Sequence, residues 1–174
     1  MPKFGHHHKL IKDSSPELKK ITSDPRFKAR IAKIKSTPIN YKFDIPYLCG
    51  YSKDAKKVYI DRHLKTKFKG YDLSEFLRIH ELSEKAIIDI FGMKYQQAHH
   101  FASYFERNAV ESAGLNWDEY CDYLHPFIKD VSHEHLDKVP KDLDLTPYQD
   151  EHDSKMLKSL QTIKESVSLI ETKI

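Results

Sequence analysis

Cysteine is scarce in this chain. Cys49 and Cys121 are too few and too far apart for a disulfide framework or a CxxC metal motif. Both read as reduced, small hydrophobic side chains. Long hydrophobic runs are missing as well. No stretch approaches the roughly 18–20 apolar residues that span a bilayer. The first twenty residues, MPKFGHHHKLIKDSSPELKK, lack the apolar centre of a secretory signal. The expectation is a cytoplasmic protein with no membrane partner. Neither an internal repeat nor a low-complexity tract organises the 174 residues, a length that suits one domain with appended arms.

Charge is present but uneven. Residues 1–42 hold eleven Lys and Arg against three Asp and Glu, a net of +8, so the remainder carries −5 of the overall +3. A basic arm on a mildly acidic body can meet nucleic acid, a protein partner or solvent. Aromatics in residues 1–38 are limited to Phe4 and Phe27, which favours solvent or a protein partner over base stacking. His6, His7 and His8 form a short run that reads as an exposed terminus.

The periodicities predict an α+β fold, mostly helical, with a small antiparallel sheet packed on a central helical bundle and a protruding C-terminal helix. Residues 1–38 read as a basic helical N-terminal arm with helices near 16–21 and 24–35, each opened by a Ser or Asp before a proline. Residues 39–133 read as the core. Residues 39–45 alternate apolar and polar, and 45–51 face 57–62 across a polar turn. A helix opening near Asp72 is apolar around most of its circumference, which marks it as central, and Gly92 closes it. A second helix runs from Tyr95 to Ala113, with Ala98, Ala102, Phe105 and Ala109 on its inner face. A third opens at 116–119 and contains Pro126, expected to kink or split it. Residues 134–174 read as a loop and a last helix over 150–172. There Met156, Leu160, Ile163, Val167 and Ile170 make a narrow apolar seam suited to self-association or a protein partner.

The chemistry concentrates in Arg78-Ile79-His80-Glu81-Leu82-Ser83-Glu84-Lys85. His80 and Glu84 are one helical turn apart on the same face, with Glu81 to the side. This is the HExxH geometry of zinc hydrolases with glutamate at the second ligand position, and a carboxylate also binds zinc, iron or manganese. The next helix, after a three-residue link, carries His99 and His100, with Glu106 two turns beyond His99. His80, Glu84 and His99 are therefore the candidate metal ligands. Glu106 is a fourth ligand or a support behind them, and Glu81 is the candidate catalytic base. Glu111 points elsewhere. Spacing alone favours a plainer reading: a histidine satisfied by Glu84 or Glu106, helical ion pairs, and surface histidines.

The runs Ile45-Pro46-Tyr47, Val58-Tyr59-Ile60-Asp61-Arg62-His63-Leu64, His80-Glu81 with Glu84-Lys85-Ala86, Ala98-His99 with Ala102 and Glu106, and Asp142-Leu143-Asp144-Leu145-Thr146-Pro147-Tyr148 together resemble a family of uncharacterised bacterial and phage-associated metallopeptidase-like proteins. The resemblance spans roughly residues 45–155. It implies that His80, Glu81, Glu84, His99 and Glu106 act as one set around zinc or another divalent transition metal. It also keeps His63 at a strand end and His152 beside an acidic loop.

Three functions follow as expectations. The first is a metal-dependent, peptidase-like hydrolase whose peptide substrate adds as a strand to an edge of the sheet. The second is a phage or prophage structural or assembly protein, carried in a phage-like particle, with the His/Glu cluster holding a structural metal or a buried polar network. The third is a nucleic-acid-binding protein acting through residues 1–42.

Overall fold

The computed structural model describes residues 15–131 and 136–149. The expected helix over 150–172, the His6–His8 run and His152 lie outside the described residues. Two short helices open the chain, α1 (Pro16–Ser23) and α2 (Pro25–Ile31). Ser15 Oγ caps the first and the Asp24 carboxylate caps the second, and a proline at each start supplies the fixed φ that suits a first turn. Leu18, Ile21 and Phe27 are buried, and Ile21 and Phe27 pack against Ala86, Ile87 and Ala98. Part of the basic N-terminal region is thus built into the core. A 3₁₀ turn at Ile34–Ser36 leads into the sheet.

The sheet holds β1 (Ile39–Phe43), β2 (Cys49–Tyr51) and β3 (Val58–Asp61) in the order β1-β3-β2. β2 and β3 form the expected antiparallel hairpin, but β1 runs parallel to β3. The sheet is therefore mixed. The chain reverses twice between β1 and β3, so these two strands point the same way, and β3 inserts between its neighbours. A two-stranded hairpin follows, β4 (Lys67–Phe68) and β5 (Tyr71–Asp72).

Two 18-residue helices dominate the rest, α3 (Ser74–Phe91) and α4 (Tyr95–Ser112). Gly92, at φ 61°, ends α3 in the left-handed conformation that a side chain disfavours. The three-residue link turns α4 back along α3. Ala86, Ala98 and Ala102 are fully buried and let the two backbones approach closely. α3 also packs on β2, β3 and α2, which makes it the central element. α5 (Trp117–Val131) continues through Pro126 without a break. Proline removes one hydrogen bond, from the carbonyl four residues earlier; Asp122 and Pro126 are both exposed, so water can take that carbonyl. A last turn, α6 (Thr146–Gln149), ends the described chain. Among the described residues no helix is long and apolar enough to cross a membrane.

The segment before α6 is tied to α3. Lys85 Nζ meets Asp144 Oδ2 at 2.8 Å and Asp89 Oδ1 at 2.9 Å. Burial alone would raise the Asp144 carboxyl, but the hydrogen bonds from Lys85 and from the Thr146 backbone outweigh it and hold the pKa below the usual 3.8. A carboxylate with a depressed folded pKa stabilises the fold above its unfolded pKa and loses that contribution as pH falls through the folded value. The difference in melting temperature between wild type and Asp144→Asn should therefore be constant above about pH 5 and shrink below about pH 4. Thermal melts across pH 3–7 check this, and a gap that widens on acidification would refute it.

Candidate metal centre

The polar residues of α3 sit where solvent cannot serve them. His80, Glu81 and Glu84 are 4%, 7% and 2% exposed, and Glu106 on α4 is 1% exposed. Buried groups of this kind must find partners, and here they find one another. His80 Nε2 lies 3.0 Å from His99 Nδ1. Glu84 Oε2 lies 2.9 Å from His99 Nδ1 and 3.4 Å from His80 Nε2. Three donor atoms from two adjacent helices thus form a small triangle, and the two imidazole rings are 4.6 Å apart. Ligand atoms on one face of a tetrahedral zinc stand roughly 3.3–3.5 Å apart, so this triangle is slightly tighter. A point about 2 Å from all three atoms lies just off its plane, at the zinc–imidazole and zinc–carboxylate bond length. His80, Glu84 and His99 therefore fit a divalent transition metal.

Glu106 stands behind this triangle. Its Oε2 accepts from His80 Nδ1 at 2.8 Å, on the ring edge opposite the convergence point, and its Oε1 accepts the hydroxyl of Tyr120 on α5. Of the two sequence readings for Glu106, this geometry matches the support. Taking Nδ1–H as the donor to Glu106 leaves Nε2 aimed inward. A carboxylate in this position fixes the tautomer and the ring plane. Burial works against a charged His80, yet the Glu106 and Glu84 carboxylates outweigh it and hold its pKa well above the usual imidazole range. An entering ion would displace a proton there. Glu84 is also opposed by burial, but hydrogen bonds to His80 and His99 keep its carboxyl below the ordinary value. Its other oxygen accepts Tyr51 OH at 3.2 Å. Tyr95, one turn before His99, brings its hydroxyl to 3.4 Å from His99 Nδ1.

Glu81 shares the cavity. Burial, and then the charge of Glu84, raise its carboxyl to about 8. It accepts a hydrogen bond from Cys49 Sγ at 2.8 Å. Burial and then the Glu81 charge push the Cys49 thiol well up, which keeps it the hydrogen-bond donor to Glu81. The cavity, about 50 Å³, is lined by these groups together with Tyr47, Leu48, Gly50, Leu77 and Pro147. That volume suits an ion with a few waters; pockets for drug-sized ligands are on the order of 300–1,000 Å³.

The other candidates go elsewhere. His100 packs its ring near Phe101. Glu111 pairs with Arg107 on the surface at 2.8 Å. His63, about half exposed, joins Asp44 and Asp61 in a second group with metal-like spacing. There every carboxylate oxygen already serves the fold. Asp44 takes Arg62 Nε at 2.6 Å and Lys138 N at 2.7 Å, and Asp61 takes Ile45 N at 2.8 Å and His63 N at 2.9 Å. This group is a joint between strand ends and the 138 segment.

Sequence reasoning missed Tyr51, Tyr95, Tyr120, Cys49 and Pro147. For Tyr95 a signal existed, its four-residue offset from His99 on one helix face. The others come from elements whose approach to α3 depends on the tertiary fold. Comparison with protein families, with curated proteins and with solved structures finds no significant match for this chain.

Proposed function

We propose that this protein is a metal-dependent hydrolase of the peptidase-like kind, with zinc or another divalent transition metal held by His80, Glu84 and His99. The observation that carries the reading is the convergence of His80 Nε2, His99 Nδ1 and Glu84 Oε2 on one point from two packed helices. A bound ion of this class supplies Lewis acidity and an acidified water. The residues supply the rest. Glu106 and Tyr120 hold His80 in register, and Tyr51 steadies Glu84. Glu81, with its carboxyl in the same cavity, would serve as general base and then acid. β2 is an edge strand beside the cavity; residues 142–144 pair with its outer side from Tyr51 onward, so a peptide backbone would pair at its Cys49 end.

Elemental analysis of protein purified without a chelating column should find one transition metal per chain. Glu81→Gln should keep that metal and lose at least about 100-fold of any peptide hydrolysis, the scale of general acid–base catalysis. A chain that takes up no metal overturns the reading. A second reading, a structural metal in an assembly protein, draws on the small cavity. It predicts stoichiometric metal, a higher melting temperature with metal bound, and no hydrolysis by wild type.

A further inference from the structure

Between residues 15 and 42 the chain holds eight Lys and Arg against two Asp and Glu, a net of +6. The fold gives that charge a direction. Ile21 of α1 and Phe27 of α2 share one buried cluster with Ala86, Ile87 and Ala98, and the 3₁₀ turn at Ile34–Ser36 also packs on α3. Ile31 touches both that cluster and the one that holds Ile34. The three elements therefore lean on one side of α3 and turn their other faces outward together. Lys19, Lys20, Lys28, Lys33 and Lys35 are exposed there. Among the described residues, none of their side chains has an ion pair or a hydrogen bond. The neighbouring arginines are already committed, Arg26 to Asp24 at 2.7 Å and Arg30 to Asp89 at 3.1 Å.

Five uncommitted ammonium groups on one side of a fold attract a polyanion. A bilayer fits this side poorly. Amphipathic helices hold lipid through their apolar face, and here Leu18, Ile21, Phe27 and Ile34 are at most 5% exposed. That face is spent on the core, so lipid would meet charge alone. The side chain that selects among polyanions is Tyr41. Among the described residues it alone of the large hydrophobic side chains is exposed, at 45%, and Lys42 beside it is exposed too. Phe27 offers no such ring, because it is buried. Tyr41 lies on β1 six residues beyond Lys35, a reach of at most about 20–22 Å. β1 is an edge strand, and its register with β3 shifts between Asn40 and Phe43. An irregularity at that place re-aims side chains and discourages the addition of a further strand. What is presented outward is a ring beside lysines. Single-stranded nucleic acid is held in this way, with cations tracking the backbone and an aromatic ring stacked on a base.

We propose that the face built by α1, α2, the 3₁₀ turn and β1 binds single-stranded nucleic acid, with the five lysines on phosphates and Tyr41 against a base. This surface is independent of the metal centre and of the hydrolase reading. The test uses the full chain and a fluorescein-labelled thymidine strand of about twenty nucleotides, with anisotropy reading binding. Five phosphate contacts on a single strand give a slope of log affinity against log salt near −3.5, so affinity should fall about 100-fold between 50 and 200 mM salt. Lys19→Gln, Lys20→Gln, Lys28→Gln, Lys33→Gln and Lys35→Gln combined should weaken binding at 50 mM salt at least tenfold and flatten the slope by about 3.5. Tyr41→Ala should weaken binding about fivefold or more and leave the slope unchanged, which separates stacking from charge. Competition then decides between partners. A duplex of the same length, phosphatidylserine vesicles and poly-glutamate, at matched charge, should each displace the labelled strand less well than the unlabelled strand does. Absence of binding at 50 mM salt, full binding by the five-lysine variant, or full binding by Tyr41→Ala overturns the proposal. So does better displacement by any of the three competitors.

Discussion

Replacing His99 with alanine should take bound zinc from one ion per chain to almost none while the fold stays in place. The imidazole contributes one corner of the donor triangle, 3.0 Å from His80 Nε2 and 2.9 Å from Glu84 Oε2. Without it the remaining pair sits on a single helix face and opens to water. Removing a supporting residue behind a metal ligand costs about 10–100-fold in affinity, and removing a ligand itself costs more. The fold survives because the seam between α3 and α4 is carried by Ala86, Ala98 and Ala102, all fully buried, whereas the His99 side chain is 21% exposed. Thermal melts with and without zinc give the second readout. Wild type should gain about 2.7 kcal/mol at a free zinc concentration one hundred times its Kd, and the variant should gain nothing. Stoichiometric zinc in His99→Ala would remove His99 from the ligand set.

The parts of the fold set by local rules were legible in advance. Helix periodicity and Gly92 placed α3 and α4, and their three-residue link made them neighbours. The β2–β3 hairpin followed from alternation around a polar turn. What escaped was non-local. Nothing near Ile39 says that it pairs in parallel with Val58, because that choice depends on β3 entering between two strands already laid down. The β4–β5 hairpin is two residues a side, too short to show a period. The pairing of Leu143 with Ser52 joins segments about ninety residues apart, and its acidic flanks read as loop.

The candidate site divides along the same line. His80, Glu81 and Glu84 share one helix, where i and i+4 spacing is direct evidence of a shared face. His99 and Glu106 follow from the short link to α4. The spacing alone left Glu106 open between ligand and support. That question turns on which ring nitrogen it meets, which one-dimensional spacing does not carry. Tyr120 shows the limit most plainly. In sequence it is one more large apolar-faced residue of α5, and in the fold its hydroxyl is the partner of a carboxylate fourteen residues away.

That pairing sets the second large effect. The Glu106 carboxylate is 1% exposed and serves two buried donors, His80 Nδ1 at 2.8 Å and the Tyr120 hydroxyl. Glu106→Ala strips both of their acceptor and leaves a cavity. Breaking a buried, hydrogen-bonded charge pair costs about 3–5 kcal/mol, and a chain of this size loses about 2–4 °C of melting temperature per kcal/mol. The variant should therefore melt roughly 6–20 °C below wild type. Glu106→Gln separates support of the metal from filling of the core. Its carbonyl can still accept from His80 Nδ1, and its amide can donate to the Tyr120 oxygen, so shape and hydrogen bonding survive while the negative charge is lost. Stability should then fall by less than about 2 kcal/mol. Zinc affinity should fall about 10–100-fold, because a neutral partner makes His80 Nε2 a weaker donor. Paired measurements of melting temperature and zinc Kd on the two variants check this. An unchanged Kd in Glu106→Gln would reduce Glu106 to a core residue whose charge has no bearing on the metal.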